Sequence, residues 1–211
     1  MTQPPSASSG IALWEERFGA SDDYLYGTEP NRFLTAQAHR LAPGSTILAV
    51  ADGEGRNGVW LAGQGHRVTA IDGSAAALQK SRRLARRQGV ELRHLQADLL
   101  TWDWGDEHYD AVVAIFIQFA GPEDRRRLFK GMVKALRPGG LLLLQGYRPE
   151  QLDYGTGGPS AVENLYTEEQ LRQELEGLDF LHLHSHDSTL SEGTGHRGRS
   201  ALIDLVARKP G

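Results

Sequence analysis

Residues 47–72 read ILAVADGEGRNGVWLAGQGHRVTAID, and this stretch decides the fold. Ile47 to Ala51 is a short apolar run entered through Pro43-Gly44, and Arg67 to Ile71 is a second, reached through Gly63-Gln64-Gly65. Both read as strands. Between them, Gly58 to Ala62 carries enough apolar residues for a helix packed on a sheet. Strand, glycine turn, helix and strand make a βαβ unit.

The alternation continues on the C-terminal side. Ser74 is placed as an N-cap and Gly89 as the residue after a helix, with Ala77, Leu78, Ser81, Leu84 and Ala85 at helical spacing between them. Glu91 to Gln96 reads as a third strand, and Tyr109 to Phe116, nearly all apolar, as a fourth covered on both faces. Pro122 opens a helix striped by Leu128, Phe129, Met132, Val133 and Leu136 and ended by Arg137-Pro138-Gly139-Gly140. Leu141 to Gln145 is a buried strand, and Thr167 with Gln170 forms a capping box for a helix along Leu171, Leu175 and Leu178. Two alternating strands, Phe180 to Ser188 and Ala201 to Ala207, close the chain with no helical pattern between them, as an antiparallel hairpin at one sheet edge does. The expected fold is α/β, a doubly wound seven-stranded sheet, mostly parallel, with ligands beyond the carboxyl ends of its strands. One domain spans 1–211, with residues 1–10 disordered and 11–42 a helical segment over the sheet.

Composition narrows the function. The chain has 211 residues, a formal net charge of -4 and no Cys, which excludes disulfides, thiolate metal sites and a cysteine nucleophile. The start lacks the basic and apolar regions of a signal peptide, and no apolar run approaches the roughly 18 residues of a spanning helix. A cytoplasmic protein with no membrane and no nucleic-acid partner is expected, since phosphate-backbone binding needs a clustered basic excess. The clusters Arg125-Arg126-Arg127 with Lys130, and Lys80 to Arg87, read as wet faces of amphipathic helices. His182, His184 and His186 share a strand face, but alternate residues lie about 6.8 Å apart, so an exposed face is expected and no metal.

Three features point to one ligand. Gly53, Gly55 and Gly58 fit GxGxxG between strand and helix, where glycines admit close approach and the helix start offers free N–H groups; a tight turn without ligand fits too. Asp72 ends the second strand, where a carboxylate can accept both hydroxyls of a ribose. Asp98 follows the third strand, placed to take an adenine amino hydrogen while the Leu99 backbone meets the ring. Each acid alone reads first as a loop cap or a solvated residue, which are usual at strand ends; acids at successive strand tips are less easily explained so.

The order of glycine loop, Asp72, Ala97-Asp98-Leu99, the apolar strand Asp110 to Phe116 and Leu136-Arg137-Pro138-Gly139-Gly140 resembles the class I S-adenosylmethionine-dependent methyltransferases, over about three quarters of the chain. Within that class, Gly55-Arg56-Asn57, Trp14-Glu15-Glu16-Arg17-Phe18 and His196-Arg197 look most like the tellurite-resistance and thiopurine-methyltransferase-like groups. The resemblance implies a Rossmann-like fold and S-adenosylmethionine as cofactor, held by Asp52, Gly53, Glu54, Gly55, Arg56, Asn57, Asp72, Gly73, Ser74, Asp98, Leu99 and Ile115. It implies a small-molecule acceptor, a soft anion or a thiol, met by His196, Arg197 and Arg199 in the turn of the final hairpin and by Tyr26. Tyr26 belongs to an aromatic set, Trp14, Phe18, Tyr24 and Tyr26, that either forms a water-excluding lid or simply covers a helix. The segment 154–159 is a lid or a floppy connection.

One departure stands out. The class carries an acid on the first strand where this chain has Ala49, and Ala51 falls in a glycine slot, so Asp52, Glu54 or water must meet the cofactor's ammonium. Ile117-Gln118-Phe119-Ala120 stands where enzymes that methylate amino groups of DNA bases carry Asn/Asp-Pro-Pro-aromatic, so that chemistry has no support. A nicotinamide-dependent oxidoreductase also fits the glycine loop with Asp72, and a non-catalytic binder of the cofactor fits the Ala49 departure.

Overall fold

The computed structural model describes residues 9–211. Helix α1 (Ser9–Gly19) and the short α2 (Arg32–Gln37) precede β1 (Thr46–Val50), α3 (Arg56–Gly63), β2 (Arg67–Asp72), α4 (Ala75–Gln88), β3 (Arg93–Gln96) and β4 (Tyr109–Ile115). Then come α5 (Pro122–Ala135), β5 (Leu136–Tyr147), the single turn α6 (Gln151–Tyr154), α7 (Glu168–Glu174) and the hairpin β6 (Asp179–Glu192) and β7 (His196–Arg208). Residues 1–8 of the segment expected to be disordered lie outside the described residues, and Ser9 and Gly10 already belong to α1.

The seven strands lie in the order β3-β2-β1-β4-β5-β7-β6. Only β7 runs against the others, pairing antiparallel with β5 and β6. The chain winds outward from β1 in one direction and from β4 in the other, so the crevice between their carboxyl ends is the switch point of the sheet. Neighbouring residues of one strand feed different cores. Leu48 and Val50 pack with Phe129 and Met132 of α5 and Leu171 of α7, whereas Ile47 and Ala49 pack with Phe33 and Leu34 of α2 and Leu61 of α3. Both faces are therefore dry, which explains the continuous apolar runs.

Local signals act as their chemistry requires. The Ser74 hydroxyl accepts from the Ala77 N–H, Gly89 closes α4 at φ 66°, and Thr167 and Gln170 exchange the two bonds of a capping box.

Four expectations need correction. Residues 200–207 of β7 are buried throughout because β6 covers the outer side, so the strand does not alternate. Helix α7 stops at Glu174, with Leu175 and Leu178 buried beyond its end. Residues 137–140 form an irregular start of β5, where the Gly139 N–H donates to the Lys209 carbonyl (2.8 Å) and the pairing with β4 shifts register. The segment after β5 is tied down: the Gln151 amide donates to Thr156 and to the Gly157 carbonyl, and its oxygen accepts from the Ala201 N–H.

Among the described residues, two of the three non-glycine positions with positive φ lie at the switch point, the third being Glu107 before β4. Ala51 at the end of β1 takes φ 46° and Phe116 at the end of β4 takes φ 56°, a left-handed conformation that a Cβ disfavours by about 1 to 2 kcal/mol. Ala51 thus does in strain what a glycine does freely. The substitution Ala51→Gly is expected to raise the unfolding free energy in urea by about 0.5 to 1 kcal/mol.

Candidate active site

The loop from β1 to α3 and the turn from β2 to α4 share one carboxylate. Asp72, at the tip of β2, accepts from the Gly53 N–H (2.9 Å) and the Ser74 N–H (2.8 Å). Burial pushes its carboxyl above the usual range, the two backbone donors pull it back, and Glu15 adds a like charge; the net direction is upward. Gly53 and Gly55 take left-handed conformations, and a Cβ on Gly55 would collide with Ser81 of α4, so this glycine lets the two helices pack.

Helix α1 roofs this cradle. Ile11 lies against Gly73 so closely that a Cβ there would stand 2.9 Å from it, and Phe18 lies 3.4 Å from the corresponding point on Gly53. Glu15 accepts from the Ser74 hydroxyl and the Ala76 N–H at the start of α4, a favourable place for a carboxylate. Asp98 caps its own turn by accepting from the Leu100 N–H, and Leu99 is buried in the core at the β3 tip. Ile115 ends β4 opposite Gln145.

The other loop residues face elsewhere. Burial pushes the Asp52 carboxyl up to about 8, although it accepts from the Gly58 N–H at the start of α3. Glu54 is buried against Lys80 at 2.7 Å and also accepts from the Tyr26 N–H. Both acids that sequence offers for the cofactor's ammonium are therefore engaged. Arg56 turns toward the hairpin, its Nη1 2.8 Å from Glu192, and the Asn57 side-chain oxygen accepts from the Asn31 N–H.

Beside the cradle lies a cluster centred on His196. This ring is 7% exposed and sits 4.3 Å from Tyr26, 4.4 Å from Phe116 and 5.8 Å from Tyr147, centroid to centroid. Its Nδ1 is 3.2 Å from Glu192 Oε2, and burial holds its pKa below the usual histidine range. A lowered pKa favours the neutral ring, and in the tautomer that donates Nδ1–H to the carboxylate, Nε2 is an acceptor. Tyr147 Oη is buried without a partner. Trp14 and Phe18 stack beyond Tyr26, so three of the four expected lid aromatics converge. Tyr24 does not: its hydroxyl donates to the Lys80 carbonyl and Arg87 covers its ring, beside a hollow of about 420 Å³ on the outer side of α4.

The expected grouping of His196 with Arg197 and Arg199 is not found. His196 begins β7 rather than lying in the turn, which is Gly193-Thr194-Gly195. Consecutive strand residues point to opposite faces, so Arg197 and Arg199 lie away from the ring; Arg199 pairs with Asp187 and covers Tyr154. Glu192, Phe116, Tyr147 and Asn31 join the site without having been singled out in the sequence. On β6, His184 and His186 stack at 5.2 Å and His186 pairs with Asp204. Among the described residues no cluster of His, Asp and Glu has the arrangement of a metal site.

A family model described as a methyltransferase domain matches residues 47–140. Among curated proteins, the chain is 36% identical over 138 residues to a glycine/sarcosine N-methyltransferase of Halorhodospira halochloris, covering 62% of this chain and 47% of that one. It is 31% identical over 98 residues to a thiopurine S-methyltransferase of Pseudomonas putida, covering 45% and 44%. The chain spans about half the length of these relatives. The solved structure of TehB from Haemophilus influenzae superposes with a TM-score of 0.72 at 19% identity, over 93% of this chain and 67% of that one. Residues 47–140 thus match a methyltransferase-domain model, and the chain shares the Rossmann-like fold of the TehB structure.

Proposed function

We propose that the chain is a methyltransferase that uses S-adenosylmethionine to alkylate a small acceptor with a soft nucleophilic atom, a thiol before an oxyanion of the tellurite or selenite kind. The observation that carries this reading is the His196 ring, neutral, oriented by Glu192 and walled by aromatic rings beside the glycine cradle. A thiol must lose its proton to become a good nucleophile, and an imidazole with a free Nε2 is suited to take it. An oxyanion instead calls for cations. Arg197 and Arg199 face away, and Arg56 is already matched by Glu192.

The Asp72 carboxylate keeps accepting capacity for a diol beyond its two backbone donors. Gly53 and Gly73 beside it carry no side chain, and Phe18 and Ile11 of α1 rest on them, so the cofactor is taken up with α1 displaced from that floor. Asp98 and Leu99 flank the place of an adenine. The cofactor, when bound, supplies a methyl group on a sulfonium. The protein's share is then alignment and exclusion of water, with Ile11, Phe18 and Tyr26 as the roof. With Asp52 and Glu54 engaged, solvent is left to meet the methionine ammonium. The likeness to thiopurine S-methyltransferase, named for transfer to sulfur, supports the thiol; the match to a methyltransferase-domain model favours methyl transfer over the nicotinamide chemistry that the glycine loop also admits. No helix among the described residues is long and apolar enough to cross a membrane.

Calorimetry is expected to show binding of S-adenosylhomocysteine and none of NAD, and Asp72→Ala is expected to weaken that binding by about 1 to 3 kcal/mol. Incubation with cofactor and a panel of thiols, thiopurines, selenite and tellurite should release S-adenosylhomocysteine fastest with a thiol-bearing acceptor. Release no faster than without protein across the panel would sink the enzymatic reading in favour of a binding role. His196→Ala should slow thiol methylation by roughly 10²- to 10⁴-fold, the usual worth of a proton-accepting group. Because only the neutral ring accepts a proton, the rate should fall on the acid side with a midpoint below the usual histidine range, and stay level above it until another group titrates.

A further inference from the structure

A line of hydrogen-bonded side chains runs along the sheet face covered by α2 and α3, from the edge strand to His196. His186 Nε2 lies 2.9 Å from Asp204 Oδ2, and the Gln145 amide donates to Asp204 Oδ1 (2.6 Å). The Asn31 amide donates both to Gln145 Oε1 (2.7 Å) and to Glu192 Oε1 (3.2 Å). The other oxygen of Glu192 holds His196 Nδ1 and Arg56. Asn31 and Gln145 are 1% and 3% exposed.

Asn31 is the junction. Its side-chain oxygen accepts from the Leu34 N–H as the N-cap of α2, and its backbone N–H donates to Asn57 in the glycine loop. Capping explains the oxygen only, since Ser, Thr and Asp cap as well. The amide nitrogen has two protons and meets two acceptors, one of them the carboxylate that touches His196. Asp in this place would set a second carboxylate against Glu192, and Ser or Thr would leave its outer oxygen unmet.

We propose that Asn31 is a positioning residue of the acceptor site: its amide fixes the rotation of the Glu192 carboxylate, which in turn sets the nitrogen of His196 that carries the proton. The inference rests on the reading of His196 as the group that faces the acceptor. Amides do not pass protons along such a line, so what it transmits is orientation. A carboxylate anchored through one oxygen to Asn31 presents the other to Nδ1, which keeps Nε2 unprotonated toward the site. The charged and titratable groups around the ring are Glu192 of β6, Arg56 of α3, Arg17 of α1, Tyr26 and Tyr147. Of these, Glu192 is the one that favours the protonated ring, and losing its grip moves the titration of His196 downward.

The test is ¹⁵N NMR of the histidine ring nitrogens in the full chain, with His196 assigned by difference from His196→Ala. The wild-type ring is expected as the Nδ1–H tautomer. Asn31→Ser keeps an oxygen to cap α2 but cannot reach Glu192; it should give a mixture of tautomers and lower the His196 midpoint by about half a unit to one unit. In the Glu192→Gln background the same substitution should add little, because Asn31 acts through that carboxylate. An unchanged tautomer and midpoint in folded Asn31→Ser overturns the proposal. Should that variant not fold, Gln145→Met frees the amide plane of Asn31 at its other end; a smaller shift in the same direction is expected, and none overturns it. Full methylation activity in His196→Ala would instead remove the functional reading, whatever the spectra of Asn31→Ser.

Discussion

One buried carboxylate holds the two halves of the cradle together. Asp72 receives a backbone N–H from the β1 loop and another from the β2 turn, and each such bond to a charged acceptor contributes about 1.5 to 3 kcal/mol. Burial works against the charged form, and in sum the carboxyl is pushed upward. Further donors tip that balance. On the proposed reading, a diol laid across the strand tips would supply hydroxyl protons that favour the ionised form, so that ligand binding and ionisation of Asp72 would reinforce each other.

Around that carboxylate, the remote ends of the chain are brought together. The carbonyl of Leu25 accepts from the N–H groups of Thr194 and Gly195, joining the N-terminal segment to the tip of the final hairpin. A Cβ at Gly193 would strike the backbone at residues 25–27, and one at Gly195 would strike the Tyr26 ring. These glycines are there because another segment lies on them. The N-terminal segment and the hairpin form one structure above the strand tips, and Lys80, donating to Glu54 and to the Asp23 carbonyl, fastens it to α4. A buried ion pair of this kind adds little stability in itself but is costly to break from one side, so it fixes where the segment lies.

The fold was legible in the sequence because its signals are local and repeated. Apolar runs, the Ser74 cap, the Thr167 box and the glycine at 89 each point to one element, and their order implies the parallel sheet. The cradle residues Gly53, Asp72 and Ser74 were legible for the same reason, since they sit at strand ends. The acceptor side was not. Glu192 reaches His196 only because the hairpin turns at Gly193-Thr194-Gly195, whereas the alternation in sequence places the second strand no earlier than Ala201. With His196 and Arg197 assigned to a turn, both are free to face one ligand; in a strand they cannot. Asn31 and Gln145 meet across 114 positions, and no pattern in either neighbourhood announces it.

The electrostatics of the acceptor side argue for an uncharged incoming molecule. Arg56 and Glu192 lie 2.8 Å apart with side chains 8% and 10% exposed, so each charge is answered by the other. Burial holds the pKa of His196 below the usual histidine range despite the carboxylate beside it. A small anion entering this space would lose its hydration and find Arg56 already paired, with only the exposed Arg17, stacked on Trp14, as a further cation, and aromatic walls repay little of that loss. On the proposed reading, a neutral thiol loses far less on entry and becomes anionic only where Nε2 receives its proton. Its charge then appears beside the imidazolium that it has just created, in surroundings from which Phe116, Tyr26 and Tyr147 exclude water, where such a pair attracts more strongly than in solution.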